Sequence, residues 1–103
     1  MWRIYVVECV DTSLYCGIST DVPRRIVAHN SGSGAKYTRS RLPVRLVACS
    51  EETLDKSTAL KVEYAFKKLS RKEKLEFITR GIDAFLDQYQ KFYMNNYHYR
   101  YWF

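Results

Sequence analysis

The fold of this chain is decided by residues 2–19, which read WRIYVVECVDTSLYCGIS. Trp2 to Val10 is rich in β-branched and aromatic residues, a composition typical of a strand. Leu14 to Ser19 predicts a second strand, and Asp11-Thr12-Ser13 between them has the composition of a tight turn. The stretch therefore predicts an antiparallel hairpin.

Alternation of side chains along the hairpin indicates which residues share a face of the sheet. Tyr5 and Val7 lie on one face of the first strand, and Tyr15 and Gly17 lie on one face of the second, because successive residues of a strand point to opposite sides. The hairpin can bring Tyr5 and Tyr15 to the same side, but the sequence does not fix the register.

Beyond the hairpin the sequence predicts mostly helices. Thr20 or Asp21 can cap a helix that carries Pro23 in its first turn, and Ser70-Arg71-Lys72-Glu73 is a capping box that opens a later one. The predicted elements after the hairpin are a helix at 21–30, a helical turn at 35–40, a strand at 44–49 and helices at 55–69 and 70–81.

Length and composition limit the class of protein. A chain of 103 residues, of which 47% are apolar, predicts one domain with a modest core. No stretch approaches the roughly 20 apolar residues of a membrane span. The N-terminus makes a poor signal peptide because Glu8 closes its short apolar run. We therefore expect a protein that is not secreted and acts in the cytoplasm, or in the host nucleus if it is viral.

The three cysteines predict neither a zinc site nor a disulfide framework. Cys9, Cys16 and Cys49 are scattered, odd in number and contain no CxxC pair. Each lies in an apolar run, where a free thiol behaves as a small hydrophobe. We interpret them as reduced core residues, in keeping with a reducing compartment.

Positive charge is concentrated in one segment. The net charge is +6, and Val22 to Ser50 contains six basic residues and no acidic one. These residues are Arg24, Arg25, Lys36, Arg39, Arg41 and Arg45. Clustered cations attract phosphates, although charge alone is equally compatible with an ordinary solvated face.

Hydrolysis of a phosphodiester requires a proton acceptor for water, stabilisation of charge on the phosphorus centre and accommodation of the leaving oxygen. Tyr15, Arg25, His29 and Glu63 could supply such a set, but composition does not single them out. Each also has a structural alternative. Tyr15 suits a half-buried strand aromatic, and Glu63 suits a rim carboxylate paired with Lys67 at i+4.

Two tripeptides resemble the signature motifs of a known protein family. Arg3-Ile4-Tyr5 and Tyr15-Cys16-Gly17 stand where the GIY and YIG tripeptides fall in GIY-YIG nucleases. The match continues through Gly17 to Asp21, Arg24-Arg25, His29-Asn30, Gly34 to Arg39, Arg41 to Val44, Ala59 with Glu63, and Lys67 to Arg71. Over roughly residues 2–78 the chain resembles the short stand-alone branch of that superfamily.

The resemblance implies an α/β (α+β) fold with a three-stranded antiparallel sheet flanked by helices, in the order β-β-α-α-β-α-α. It also implies catalytic roles. Tyr15 would be the general base or would position the attacking water, with Tyr5 in support. Gly17 would keep the backbone beside Tyr15 uncrowded, and Arg25 would stabilise the scissile phosphate.

The resemblance assigns the remaining site residues as well. Glu63 would be the sole protein ligand of one divalent cation, Mg²⁺ or Mn²⁺, with water and phosphate in the other positions. His29 would relay a proton from Tyr15 or bind phosphate. Candidate nucleic-acid contacts are Arg24, Lys36, Tyr37, Arg39 and Arg41.

Three positions depart from the family pattern. Arg3 replaces the first glycine and Cys16 replaces the isoleucine, but both changes leave the tyrosines and Gly17 in place. Some relatives carry a polar asparagine about twelve residues after the metal glutamate, where this chain has Leu75. A supporting contact is then either absent or supplied elsewhere.

The C-terminal segment lies outside the resemblance. We divide the chain into a nuclease domain at 1–81 and an aromatic-rich extension at 82–103, with eight aromatic residues between 89 and 103. We favour an extension that packs back on the domain as a final helix. It can also form a dimer or partner contact, or offer stacking platforms for unpaired bases. His98 is interpreted as structural.

These observations predict a metal-dependent DNA endonuclease with little sequence preference, acting on duplex or branched DNA in repair, recombination or genome processing. One compact domain leaves little surface for base readout. The alternatives are a nucleic-acid-binding module that cuts poorly, a partner-dependent nuclease subunit, and a scaffold that docks another subunit through its tail.

Overall fold

The computed structural model describes the backbone of residues 1–101 and the side chains of residues 1–92. The elements are β1 (Arg3–Glu8), β2 (Leu14–Ser19), α1 (Val22–Asn30), α2 (Lys36–Arg39), β3 (Arg45–Cys49), α3 (Lys56–Lys67), α4 (Arg71–Arg80) and α5 (Ile82–Tyr101). This order confirms the predicted series of strands and helices and adds a fifth helix. No described helix is long and apolar enough to cross a membrane.

The three strands form one antiparallel sheet in the order β2-β1-β3, as predicted. In the hairpin, Tyr5 is the cross-strand partner of Gly17, and Val7 is the partner of Tyr15. Directly paired residues project to the same face of a sheet. The register therefore puts Tyr5 and Tyr15 on one side, which the sequence had left open.

One face of the sheet carries the larger apolar core. Ile4 and Val6 of β1 are fully buried there against α3 and α5. The buried members of this cluster are Ile4, Val6, Cys16, Leu54, Ala59, Val62, Phe66, Phe77, Ile82, Phe85 and Leu86. Because α3 buries Ala59, Val62 and Phe66 at helical spacing, its predicted apolar stripe is confirmed.

The opposite face carries a smaller cluster under α1. Its buried members are Tyr5, Val7, Cys9, Val22 and Val44. The Asn30 side chain at the end of α1 donates from Nδ2 to the Val44 carbonyl at 3.0 Å and accepts from the Val44 N–H at 2.8 Å. This pair of hydrogen bonds ties α1 to the start of β3 and fixes how the helix lies over Tyr5.

The helix ends follow the local signals in the sequence. Asp21 caps α1 by accepting from the Arg24 N–H, and Ser70 and Glu73 form the complete capping box of α4. The α4 helix ends at Gly81, whose φ of 102° is costly for other residues. These predicted boundaries are confirmed.

Helix α5 enters the core at its first turns. Ile82, Phe85 and Leu86 are buried, and Tyr89 packs on the same cluster beside Phe85. Phe92 is exposed. The aromatic side chains from residue 93 onward, and His98, lie outside the described residues, so the roles considered for them and the division of the chain at residue 81 stay predictions.

Candidate active site

A buried hydrogen bond joins β1 to α1 at the centre of the sheet face that α1 covers. The Tyr5 hydroxyl lies 2.7 Å from His29 Nε2. Tyr5 is 1% exposed and His29 is 0% exposed, so neither group exchanges this partner for bulk water. A polar pair at this depth is costly unless every donor and acceptor is satisfied, and here both side chains are.

Thr38 of α2 determines which nitrogen of His29 carries the proton. Its hydroxyl donates to the Ala35 carbonyl at 2.9 Å, so its oxygen is left to accept from His29 Nδ1, 2.8 Å away. With the proton on Nδ1, the neutral ring presents a bare Nε2, to which Tyr5 donates. The direction of the whole chain, from Tyr5 through His29 to Thr38 and Ala35, is thereby set.

The pKa values of the buried pair agree with this protonation state. Burial raises the pKa of Tyr5 to about 12, against a smaller lowering by the nearby Arg25 guanidinium. Burial, followed by the positive charge of Arg25, lowers the pKa of His29. At neutral pH the site therefore holds a protonated Tyr5 and a neutral His29.

Tyr15 lies against the same histidine without taking either ring nitrogen. The Tyr15 and His29 rings meet edge to face, with centroids 5.6 Å apart. Because both nitrogens of His29 are engaged by Tyr5 and Thr38, a direct proton transfer from Tyr15 to the imidazole would first require one of these two hydrogen bonds to break. His29 as a direct phosphate ligand would first have to break one of its two hydrogen bonds.

Gly17 serves Tyr5 more directly than Tyr15. A Cβ added at Gly17 would lie 2.5 Å from the Tyr5 hydroxyl oxygen, far inside van der Waals contact. The glycine therefore provides the space in which the Tyr5 hydroxyl reaches His29. The role expected from the sequence, an uncrowded backbone beside Tyr15, stays a prediction beside this contact with Tyr5.

Glu63 of α3 is half-buried and ion-paired. Its Oε1 lies 3.6 Å from Lys67 Nζ, the i+4 pair expected from the spacing. Among the side chains of residues 1–92, no three or more His, Cys, Asp or Glu residues come together as a metal site. A hard cation that keeps most of its water and substrate oxygens needs only one such carboxylate, and Glu63 fits that donor chemistry.

The basic residues predicted to contact nucleic acid differ in their surroundings. Arg24, Lys36 and Arg39 are exposed, and Arg24 lines a small cavity of about 330 Å³ with Arg25 at the start of α1. Arg41 is occupied instead: its Nε lies 3.1 Å from Asp11 Oδ2, and its Nη1 donates to the Tyr37 carbonyl at 2.7 Å. Arg41 thus anchors the segment that carries Tyr37.

Sequence reasoning missed Thr38 as a site residue. The threonine lies in the segment from Gly34 to Arg39 that carried part of the family resemblance, but its hydroxyl had no assigned partner. A buried histidine needs a hydrogen-bond partner for each ring nitrogen. This requirement could have prompted a search for a second partner of His29 in the sequence. Gly34 was missed in the same way, since a Cβ there would collide with the His29 ring.

Comparisons with known proteins cover about three quarters of the chain. A family model described as the GIY-YIG catalytic domain matches residues 1–76. A UPF0213 protein of Bacillus cereus (strain ATCC 10987 / NRS 248) is 53% identical over 77 residues, which are 75% of this chain and 79% of the relative. A UPF0213 protein of Staphylococcus saprophyticus is 52% identical over 79 residues, 76% of this chain and 94% of the relative.

A solved structure extends the likeness to three dimensions. The solution NMR structure of protein EF2693 from E. faecalis is 42% identical in sequence, with a TM-score of 0.51. The match covers 76% of this chain and 82% of that one. The relatives are short proteins in which the matched segment is most of the chain.

Proposed function

This chain belongs to the GIY-YIG family of nuclease catalytic domains, and from that premise we propose that it is a divalent-metal-dependent endonuclease that hydrolyses phosphodiester bonds in DNA. One observation carries the proposal: the buried chain from Tyr5 through His29 to Thr38 lies directly against Tyr15, with Arg25 alongside. Burying polar groups costs desolvation energy, and a polar core stabilises a domain no more than an apolar core of the same size. We therefore infer that this polar cluster serves catalysis.

The two tyrosines take different parts. Tyr5, with a pKa of about 12, stays protonated at neutral pH and acts as a fixed donor to His29. Tyr15 is half-buried and in contact with the His29 ring, so it can reach both the relay and a substrate. We assign to Tyr15 the orientation or deprotonation of the attacking water.

Arg25 supplies positive charge where the reaction builds up negative charge. It is half-buried beside the Tyr5–His29 pair and carries a planar guanidinium group. Its planar fork matches two oxygens of a phosphate. We assign it to the scissile phosphate, with the exposed Arg24, Lys36 and Arg39 holding the neighbouring backbone without reading its sequence.

A divalent cation completes the set of groups. Glu63 would hold it, and when bound such an ion, Mg²⁺ or Mn²⁺, neutralises charge on the phosphate oxygens. Lys67 now provides the positive charge next to Glu63, and the metal ion would replace the lysine at this carboxylate. We expect the enzyme to act on duplex or branched DNA in the cytoplasm, in repair, recombination or genome processing.

The test is cleavage of labelled duplex, flap, four-way junction and single-stranded DNA with Mg²⁺, with Mn²⁺ and with EDTA. Tyr15→Phe, Arg25→Ala and Glu63→Gln are each expected to lower the cleavage rate by about a hundredfold or more, the scale of losing a catalytic proton-transfer or charge-stabilising group. Matched controls change the same residue types on exposed surfaces: Tyr64→Phe, Arg80→Ala and Glu76→Gln. Equal losses in the controls would contradict the assignment.

A second candidate function is a nucleic-acid-binding module that does not cut by itself. The ion pair between Glu63 and Lys67 favours it, since it occupies the carboxylate that the metal requires. This module predicts DNA binding that Glu63→Gln leaves intact, with no cleavage of any substrate under any metal. Cleavage that appears only with an added protein would identify a partner-dependent nuclease subunit.

A further inference from the structure

Lys67 of α3 contacts two residues of the proposed active site at once. Its Nζ lies 3.6 Å from Glu63 Oε1 and 5.3 Å from the centroid of the Tyr15 ring. Glu63 precedes it by one turn of the same helix, whereas Tyr15 belongs to β2. The i+4 spacing explains the first contact but not the second, so the tertiary structure also places this ammonium group.

The lysine is freer to move than the carboxylate it pairs with. The side chain of Lys67 is 44% exposed, and that of Glu63 is 18% exposed. Lys67 also lines a cavity of about 410 Å³ together with Tyr15 and Lys74 of α4. Because a lysine carries its charge on a flexible stem, Lys67 can turn from Glu63 to an anion in this cavity by rotation of its side chain.

The cavity suits an anion. Its lining contains the ammonium groups of Lys67 and Lys74 and no carboxylate. Neighbouring like charges in a partly enclosed space attract an oppositely charged group. A phosphate of the substrate is the anion that the proposed reaction brings beside Tyr15. In the DNA complex Lys67 therefore has two anions to choose between, the Glu63 carboxylate and this phosphate.

Glu63 faces the same competition from the other side. Its carboxylate pairs with the Lys67 ammonium group and is also the proposed protein ligand of a divalent cation. Without DNA, binding a cation there would separate Lys67 from its carboxylate partner. With DNA, a phosphate replaces that partner. Each of the two ligands, cation and DNA, should therefore favour binding of the other.

We propose that Lys67 couples metal binding to DNA binding: it holds Glu63 in the free protein and moves to a phosphate of the substrate, which leaves the carboxylate to the divalent cation. This inference rests on the proposed nuclease function and adds a regulation of its site. The carboxylate becomes fully available only when DNA is bound, so the complete set of catalytic groups forms only on the substrate.

The first test measures Mn²⁺ binding to the protein without DNA, from the electron paramagnetic resonance signal of the free ion. Lys67→Gln removes the competing ammonium group and should tighten Mn²⁺ binding about threefold, the scale of one well-placed ion pair. Lys67→Arg keeps the charge and should bind Mn²⁺ as weakly as the wild type. When Glu63→Gln is added, the effect of Lys67→Gln should vanish.

Two other lysines separate competition at the carboxylate from a general change of charge. Lys74 lines the same cavity, and Lys68 is the sequence neighbour of Lys67 but lies over the Tyr64 ring, 4.4 Å from its centroid. Lys74→Gln and Lys68→Gln remove the same charge and should leave Mn²⁺ affinity nearly unchanged. A gain in either control equal to that in Lys67→Gln would overturn the proposal.

The second test measures DNA binding by fluorescence anisotropy, with Mn²⁺ and with EDTA. It uses the Tyr15→Phe background, which prevents cutting and keeps the ring beside Lys67. Mn²⁺ should tighten DNA binding, and adding Lys67→Gln should reduce this gain about threefold, because the coupling between two ligands is reciprocal. Adding Lys68→Gln instead should keep the full gain.

The outcomes separate this proposal from the nuclease assignment. Mn²⁺ affinity that is undetectable or unchanged in Lys67→Gln, or an undiminished gain in DNA binding, overturns the coupling even if the protein cuts DNA. Tighter Mn²⁺ binding and a reduced gain in Lys67→Gln, with a wild type that cuts no substrate, keep the coupling and overturn the nuclease.

Discussion

On one face of the sheet Ile4 and Val6 pack against aliphatic and aromatic side chains, while on the other face Tyr5 packs around a histidine with both nitrogens hydrogen-bonded. These residues are neighbours along one strand, so the pleat alone separates them. The first face gains free energy from apolar burial. On the second face a polar cluster takes the place of part of the apolar packing. Partners from three elements fix the orientation of this cluster.

The contrast shows how so small a domain can hold a buried polar cluster. Low polarity strengthens hydrogen bonds within the cluster, but it also makes any unpaired member costly. Every buried side-chain nitrogen and oxygen among the described residues has a partner. We therefore expect substitutions on the apolar face to change stability, and those on the polar face to change activity.

The largest effect is expected from Leu86→Ala on the apolar face. Leu86 of α5 is fully buried, so the deletion leaves a cavity and lowers the free energy of unfolding by about 2–5 kcal/mol. Urea unfolding measures this loss, and cleavage per folded molecule should stay unchanged. Phe92→Ala, at an exposed position of the same helix, is the control and should cost less than about 0.5 kcal/mol.

Gly17→Ala should reverse that pattern by damaging activity more than stability. The new methyl would displace the Tyr5 hydroxyl from His29, and a misplacement of about 1 Å can lower a rate about a hundredfold. Cleavage rates and thermal unfolding are compared on the same samples. Gly32→Ala is the matched control: nothing lies within 4 Å of its Cβ, but its φ of 84° should cost about 1 kcal/mol of stability without loss of rate.

Thr38→Val tests whether the tautomer of His29 matters. The valine cannot accept the Nδ1 proton, which costs about 1–3 kcal/mol for the unsatisfied donor and should lower the cleavage rate about tenfold as the ring reorients. Nitrogen NMR of the imidazole should show the proton on Nδ1 in the wild type and a shifted distribution in the variant. Thr38→Ser keeps the hydroxyl and should restore both readouts; failure to do so would point to packing of the methyl group instead.

The smallest effect is expected from pH. Because burial lowers the pKa of His29, the unfolded chain binds a proton near pH 6.5 and the folded ring binds one only at lower pH. The stability contributed by the neutral ring is thus complete above about pH 6.5 and is lost as the pH falls below it. The difference in unfolding free energy between wild type and His29→Gln should shrink over that range; a constant difference would mean that His29 does not titrate.

Local patterns sufficed for the elements of this fold. The alternation in residues 2–19, the cap at Asp21 and the capping box at Ser70 each depend on groups within a few residues of one another, and all were correctly predicted. The family motif likewise named the tyrosines and Glu63 as candidates, because its spacing is visible along the chain.

The contacts within the site needed the tertiary structure. That Thr38 orients His29, that Gly17 makes room for Tyr5, and that Arg41 is held by Asp11 all follow from segments far apart in sequence. The hairpin register also had to be fixed before Tyr5 and Gly17 could be recognised as partners.

The sequence by itself thus determined the strand and helix order, the basic segment and the family, since these rest on composition and short-range spacing. Tertiary packing alone decided which nitrogen of His29 carries the proton, that burial raises the pKa of Tyr5, and that Tyr15 and Tyr37 line the same cavity. The physical reason is that hydrogen-bond direction, burial and stacking depend on contacts between residues that are distant in sequence. These contacts exist only in the folded chain.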